Sequence, residues 1–391
     1  MLSLETELER LLSEPLSAVI DRERSTFDRL TAPLTRSLVL FGAGHLGRKT
    51  LAGLRQVEIE PLAFADNNSA LWGKKVDDLL VLSPVDAAQQ FGQQASFVIT
   101  VWRAGADDRM AERIRQLTNL GCARVIPFGP LFWKYPEIFL PHYALDLPHK
   151  ATLQAEDIRK AFSLWAAEAS RHEYLAQVRW RILSDFDGLP SPVTHEIYFP
   201  TDLVSRRMDE TFVDCGAFDG DTIKSFLGMH ETSFERIFAF EPDASNFRKL
   251  RDYISTLAEA VKARIMLYPM GVGARGERVL FNAAGNESSS VGSGTSYIDS
   301  IALDEALAGA YPTFIKMDIE GSEPEALDGS RGLIARNLPM LAISVYHRQD
   351  HLWKIPLAIQ ALSNQYRFFL RPHNLEVWDL VCYAVPKNRL R

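Results

Sequence analysis

The 391-residue sequence predicts an α/β protein with two doubly wound, Rossmann-like domains in tandem. Three observations carry that prediction. Short apolar runs alternate with helical stretches twice over, across about 35–130 and again from about 206 onward. Each series opens with a strand that runs into a glycine-rich turn, FGAGHLG at 41–47 and VDCGAFDG at 213–220. In each, the second strand ends on an acidic residue, Asp66 or Glu241, about 20 residues beyond the turn.

Taken in order, residues 1–34 read as an N-terminal amphipathic helix, with leucines at 2, 4, 8, 11 and 12 among charged residues. Ser37–Phe41 and Pro61–Ala65 are apolar enough for buried parallel strands, with a helix over Gly47–Arg55 between them. Phe97–Val101 and Arg124–Pro127 add two strands around a helical Asp107–Leu120, which closes a nucleotide-binding-type domain over 35–130. Residues 131–205 form a bridge: aromatic and proline-rich pieces, one helix over about Glu156–Ser184, then the irregular LPSPVTHEIYFP, placed to supply a wall of the active site. The second domain, 206–391, offers strands at Phe212–Cys215, Arg236–Phe240, Arg264–Tyr268, Phe314–Met317 and Leu341–Val345. Two more, about Arg367–Arg371 and Val377–Val385, follow with no long helix between them, so a terminal antiparallel hairpin completes a seven-stranded sheet. Asn282–Ser296 has no apolar periodicity and reads as a mobile loop.

Composition narrows the function classes. A hydrophobic fraction of 47% with 24% charged residues is that of a soluble globular chain. The net charge of −7 supplies no basic face for nucleic acid. Cys122, Cys215 and Cys382 stand far apart, which argues against a disulfide framework or a structural zinc knuckle and fits a reducing compartment. No apolar run approaches the roughly 20 residues of a membrane span, and the acidic N-terminus is unlike a secretory leader, so a cytoplasmic location is expected. Partners are expected to be small molecules, with no nucleic acid and no membrane; a homo-oligomer stays open.

The second domain carries the chemistry. Asp214 ends an apolar strand, and Gly216 and Gly220 let a ligand approach the turn closely. The helix that follows presents its N-terminal amides there, which suits the amino-acid and ribose end of an adenosyl ligand. Glu241 is placed to accept from both ribose hydroxyls. The runs VDCGAFDGDT (213–222), FAFEPDASNFRKL (238–250), IDSIALDEAL (298–307) and IKMDIEGSEPEAL (315–327) resemble the FkbM family of methyltransferases over nearly all of 205–391. The resemblance implies a class I methyltransferase sheet, S-adenosylmethionine held by Asp214, Gly216, Gly220 and Glu241, and methyl transfer to oxygen. Phe218–Asp219 departs from the family's usual small residue or Asn in the turn.

Asp318 and Glu320 alternate at the end of the fourth strand, and His347 follows the fifth, so all three are candidates for the crevice at the strands' carboxyl ends. An alcohol needs help losing its proton, and His347 or Asp318 is the expected base. A variant has Asp318, Glu320 and His347 hold a divalent ion that acidifies the hydroxyl. Ser322 and Glu325 fit a capping box, which sets Glu323 and Glu325 outside the site.

In the first domain, Gly42, Gly44, Gly47 and Asp66 meet the context of a dinucleotide fingerprint. The segment GAGHLGRK…FADNNSALWGKKVDDLLVLSP resembles the N-terminal domain of sugar O-acyltransferases, which implies either a nucleotide or nucleotide-sugar site or a structural platform. The leading expectation is an O-methyltransferase acting on a hydroxyl of a sugar or secondary metabolite. Its rivals are a nucleotide-sugar oxidoreductase using the first glycine loop and a non-catalytic scaffold.

Overall fold

The computed structural model describes residues 3–105, 108–282, 290–291 and 296–391. The chain divides into two compact units, one made of Met1–Ala155, Leu175–Pro192 and Asn374–Trp378, the other of Glu156–Tyr174, Val193–His373 and Asp379–Arg391.

In the first unit the N-terminal segment is two helices, Leu4–Leu12 and Leu16–Thr31, rather than the single one expected. Pro15 stands between them, and with no N–H to donate and a ring that crowds the preceding turn it forces a restart. Strands β1 (Leu38–Phe41), β2 (Ala63–Ala65), β3 (Lys75–Val76), β4 (Leu79–Leu82), β5 (Ser96–Ile99) and β6 (Val125–Pro127) form one sheet in the order β3-β4-β2-β1-β5-β6. All pairs are parallel except β3 with β4. That edge hairpin turns on Asp77 and Asp78, both in the left-handed region (φ 46° and 66°), which aspartate tolerates better than most residues. β1 and β5 are buried on both faces because helices cover them, which is why they read as unbroken apolar runs.

The second unit holds the main sheet. Its strands are β7 (Thr211–Cys215), β8 (Arg236–Phe240), β9 (Ile265–Tyr268), the short β10 (Gly271–Val272), β11 (Glu277–Asn282), β12 (Ser290–Val291), β13 (Ser296–Ile301), then β14 (Phe314–Met317), β15 (Met340–Ser344), β16 (Tyr366–Pro372) and β17 (Leu380–Pro386). Seven of them order as β16-β17-β15-β14-β7-β8-β9. Only β17 runs against its neighbours, through Leu341 opposite Ala384 and Phe368 opposite Ala384 on the other side. This is the sheet, hairpin included, that the sequence predicts. Its core packs Phe199 and Phe226 against Phe212 of β7 and Phe314 of β14.

Two features depart from expectation. The helix read over Glu156–Ser184 is broken into Ala155–Leu164 and Glu168–Leu183, because Trp165–Ala166 pairs with the edge strand instead: Ala166 N donates to Phe368 O at 2.9 Å. The strands β10–β13 form a second, four-stranded sheet that the sequence reading lacks. The loop read over Asn282–Ser296 lies for the most part outside the described residues.

Candidate active site

The carboxyl ends of β7, β8, β14 and β15 bring together most of the candidates named from sequence. β7 leads into Gly216, which has φ +84° and lies so close to the neighbouring strand that a Cβ there would meet Asp318 O at 2.0 Å. No other residue type fits. Gly220, also left-handed, caps the helix Asp221–His230.

Glu241 follows β8 and is buried. Its Oε2 accepts from Phe218 N at 2.9 Å and its Oε1 from Asp243 N at 2.8 Å, so the carboxylate ties the glycine turn to the start of the next helix. Burial pushes its carboxyl up to about 7, with those two amides pulling the other way. Each oxygen keeps a lone pair for a further donor.

Asp214 is fully buried and pairs with Lys316 of β14, Oδ1 to Nζ at 3.1 Å. Lys316 also donates to Gly216 O at 2.6 Å. Burial pushes Asp214 up to about 6 against the pull of Lys316. Burial likewise acts to lower Lys316, but Asp214 and Asp318 outweigh it and the ammonium keeps its proton, so the pair is ionised at neutral pH. The job the structure displays for Asp214 is thus to hold Lys316, which in turn holds the turn.

Asp318 follows β14, and its side chain is 24% exposed; Glu320, two residues on at φ +54°, is 20% exposed. His347, after β15, is 1% exposed at its side chain and lies behind them, with Nε2 at 3.2 Å from Asp318 Oδ1 and 3.8 Å from Glu320 Oε1. Burial works to raise Asp318, yet the hydrogen bond and charge of His347, with Lys316 and Tyr198, bring it down to about 2. Burial acts to lower His347, and the carboxylates of Glu323, Glu320 and Asp318 overcome it and raise the imidazole well above its ordinary value.

Three residues of this cluster escaped the sequence reading. Tyr198, in the IYFP stretch before β7, donates its hydroxyl to Asp318 Oδ2 at 2.7 Å. The stretch was expected to wall the site, but no periodicity singles out its tyrosine. Glu323 was set aside on the strength of a capping box, yet Ser322 makes no side-chain cap. Instead Glu323 is fully buried, its Oε1 accepting from Ile319 N at 2.9 Å and lying 2.8 Å from His347 Nδ1. His351, the third, has Nδ1 at 3.2 Å from Glu323 Oε2. The spacing His347-x-x-x-His351 was the available signal. Among the described residues, the group whose ligand atoms converge within 4.8 Å is therefore Glu323, His347 and His351, sharing only His347 with the set expected from sequence.

In the first unit the predicted glycines also sit at a turn, with Gly42 at φ +115° and Gly44 capping the helix His45–Gln56. Gly47 packs so tightly that a Cβ would meet Gly42 O at 1.9 Å. Asp66 accepts from Ala43 N and from Asn68 N, both at 2.7 Å.

Over 97% of its length, and 98% of the other's, the chain is similar to the crystal structure of Methyltransferase FkbM from Methylobacillus flagellatus, with a TM-score of 0.76 at 23% identity, a likeness of fold. It is also similar, over 46% of its length and 81% of the other's, to a precorrin-6y C5,15-methyltransferase from Geobacter metallireducens, with a TM-score of 0.29 at 14% identity. No curated protein matches. No helix among the described residues is long and apolar enough to cross a membrane. Residues 214–377, which hold every group of the cluster except Tyr198, match the family described as Methyltransferase FkbM domain, and this part of the chain gives it S-adenosylmethionine-dependent methyltransferase activity.

Proposed function

We propose that the enzyme methylates a hydroxyl oxygen of a sugar or secondary metabolite, with Asp318 as the group that receives the hydroxyl proton. The observation that supports this reading is the order of burial at the strand ends. Asp318 and Glu320 reach solvent, whereas the His347 ring is sealed behind them. A residue that never meets the substrate is not its base, so His347 acts on Asp318 rather than on the alcohol.

S-adenosylmethionine, when bound, supplies an electrophilic methyl carbon. The residues present fit it: Glu241 keeps lone pairs for two ribose hydroxyls, and the Gly216–Gly220 turn with the following helix N-terminus offers amides to the amino-acid end. Asp214 supports that turn through Lys316. Asp318, held from one side by Tyr198 and from the other by His347, presents a fixed carboxylate to an incoming hydroxyl. As the hydroxyl oxygen gains a methyl group it becomes strongly acidic, so even a weakly basic carboxylate takes its proton. Alignment in a sheltered crevice supplies the rest. Glu320 offers a second acceptor for a polyhydroxylated substrate, which favours a carbohydrate over a lone alcohol.

In the first unit the reading favoured is a structural platform, because neutral Thr100 stands at the strand end where the second unit has Asp318 beside Lys316 and His347. A nucleotide or nucleotide-sugar ligand, and the likeness to sugar O-acyltransferases, are tested by calorimetry with NAD and UDP-sugars. For the main reading, turnover of labelled methyl donor is followed on a panel of sugars and hydroxylated metabolites, with wild type and Asp318→Asn side by side. Product methylated on oxygen by the wild type alone is expected; methylation of nitrogen or carbon, or an undiminished Asp318→Asn, sinks the proposal.

A further inference from the structure

We propose that Glu323, His347 and His351 form a zinc-class metal site behind the methyl-transfer crevice. The inference rests on the reading of Asp318 given above, and it assigns the ion a positioning role rather than an open catalytic one.

The geometry comes from three elements. Glu323 opens the helix Glu323–Asp328, His347 lies just past β15, and His351 opens the helix His351–Leu362. Their ligand atoms lie within 4.8 Å of one another, and the residues are 0%, 6% and 1% exposed. Glu323 Oε2, His347 Nδ1 and His351 Nδ1 are all buried without an aligned hydrogen-bond partner, as is Nε2 on the far side of the His347 ring, although 2.8 and 3.2 Å contacts join Glu323 to the two rings. Each buried polar atom left so costs about 1–3 kcal/mol. One cation facing all three satisfies them together. The other oxygen, Oε1, is already fixed by the amides of Ile319 and Gly321, as expected of a ligand whose orientation is set by its surroundings.

The donor set selects the ion. Two imidazoles and one carboxylate suit Zn²⁺ or a neighbouring transition metal, whereas Mg²⁺ and Ca²⁺ prefer oxygen throughout. The side of the ring matters equally. Ligation through His347 Nδ1 leaves the proton on Nε2, 3.2 Å from Asp318 Oδ1. A carboxylate–histidine–metal chain results, in which the ion fixes the tautomer and His347 donates to the working carboxylate. The competing arrangement puts protons on both rings and makes Glu323 the centre of an ion-paired network.

The test uses the full-length chain. Metal content is measured by mass spectrometry after equilibration with Zn²⁺ and removal of excess, and the Co²⁺-substituted protein is examined for the visible absorption of a nitrogen-and-oxygen site. About one equivalent of zinc per chain is expected in the wild type, falling about tenfold or more in Glu323→Gln and in His351→Ala. Less than about a tenth of an equivalent in the wild type overturns the proposal, as does full retention in both variants. The wild-type stoichiometry and cobalt spectrum decide the matter even if a variant fails to fold. Calorimetry with S-adenosylmethionine on the same samples separates the two readings. Donor binding without metal sinks the metal site alone, while metal without donor binding sinks the proposed function.

Discussion

At the end of its first strand each unit turns on a glycine, Gly42 in one and Gly216 in the other, and in both the same contacts recur. The last strand residue accepts from the amide that follows the neighbouring central strand: Phe41 O from Thr100 N, Cys215 O from Asp318 N. The acidic residue after the second strand accepts from the turn amide 23 residues earlier and from the amide two residues later, as Asp66 does with Ala43 and Asn68 and Glu241 with Phe218 and Asp243. Each unit also holds the glycine carbonyl with a side chain, Thr100 Oγ1 at 3.0 Å from Gly42 O and Lys316 Nζ at 2.6 Å from Gly216 O. These contacts belong to the turn, and by themselves they do not mark a ligand site. What separates the units is charge. The position held by neutral Thr100 in one is Asp318 in the other, with Lys316, Asp214 and His347 around it. The same backbone frames a neutral turn in one case and a charged cluster in the other.

The sharpest way to break that comparison is to substitute each of the two residues. Asp318→Thr places the first unit's side chain in the second, and turnover of labelled methyl donor is expected to fall on the order of 10²–10⁴-fold. In the first unit the uncharged Thr100→Asn, which buries no new charge, is expected to leave turnover alone. Near-normal turnover in Asp318→Thr removes the proton-acceptor role.

Next in size is donor binding. Glu241→Ala is expected to weaken S-adenosylmethionine by about 2–4 kcal/mol, since two hydrogen bonds to a charged group are lost, while Asp66→Ala changes nothing in the same calorimetric titration. The pH dependence sharpens this. Glu241 is lifted from its ordinary 4.5 to about 7, chiefly by burial. Between those values the folded protein keeps a proton that the unfolded chain has lost, so this group's contribution to stability falls as pH rises through that window. Ribose hydroxyls favour the ionised form, so donor affinity is expected to rise with pH through about 7. A flat profile in the wild type, or an equal slope in Glu241→Gln, rules out Glu241 as its origin.

How much of this was legible follows from the kind of signal each residue leaves. Strands buried on both faces write themselves as apolar runs, so β7, β8, β14 and β15 came out within a residue or so. The places of Glu241 and Asp318 just past strand ends were legible because the strands themselves were, and strand ends in such sheets point at a crevice. Glu323 was misread because its neighbour Ser322 offered a local explanation, whereas its real partners lie across the fold on Ile319, His347 and His351. Tyr198 and Lys316 act through contacts 120 and 100 residues away in sequence, which no local pattern encodes. The break at Trp165–Ala166 has the same origin, since an edge strand competed successfully for backbone that local propensity gave to a helix.

Stability gives the third contrast. Asp214→Asn leaves the Lys316 ammonium buried beside a neutral amide, and a loss of about 3–5 kcal/mol is expected. Lys316→Met strands the carboxylate in the same way and should cost a comparable amount. The double variant Asp214→Asn/Lys316→Met removes both charges and is expected to recover much of that loss, as buried pairs replaced together often do. Denaturant unfolding followed by near-ultraviolet circular dichroism reads all three. If the double variant is as unstable as the sum of the singles, the two residues act independently and the pair assignment fails.

The smallest effect is expected where the first unit uses a hydroxyl for the same purpose. Thr100 donates to Phe41 O and Gly42 O at 3.1 and 3.0 Å, and Thr100→Val removes that donor with little change of shape. Both carbonyls accept other bonds or lie in a turn whose conformation Gly47 already enforces, since its missing Cβ is what lets Gly42 O approach. The neutral bracket is therefore worth about 1 kcal/mol, against several for the charged one. A loss from Thr100→Val as large as that from Asp214→Asn would mean that the glycine carbonyl, and not the charge, is what both brackets protect. Asp214 and Lys316 would then be turn-holding residues in full, with no separate part in receiving the donor.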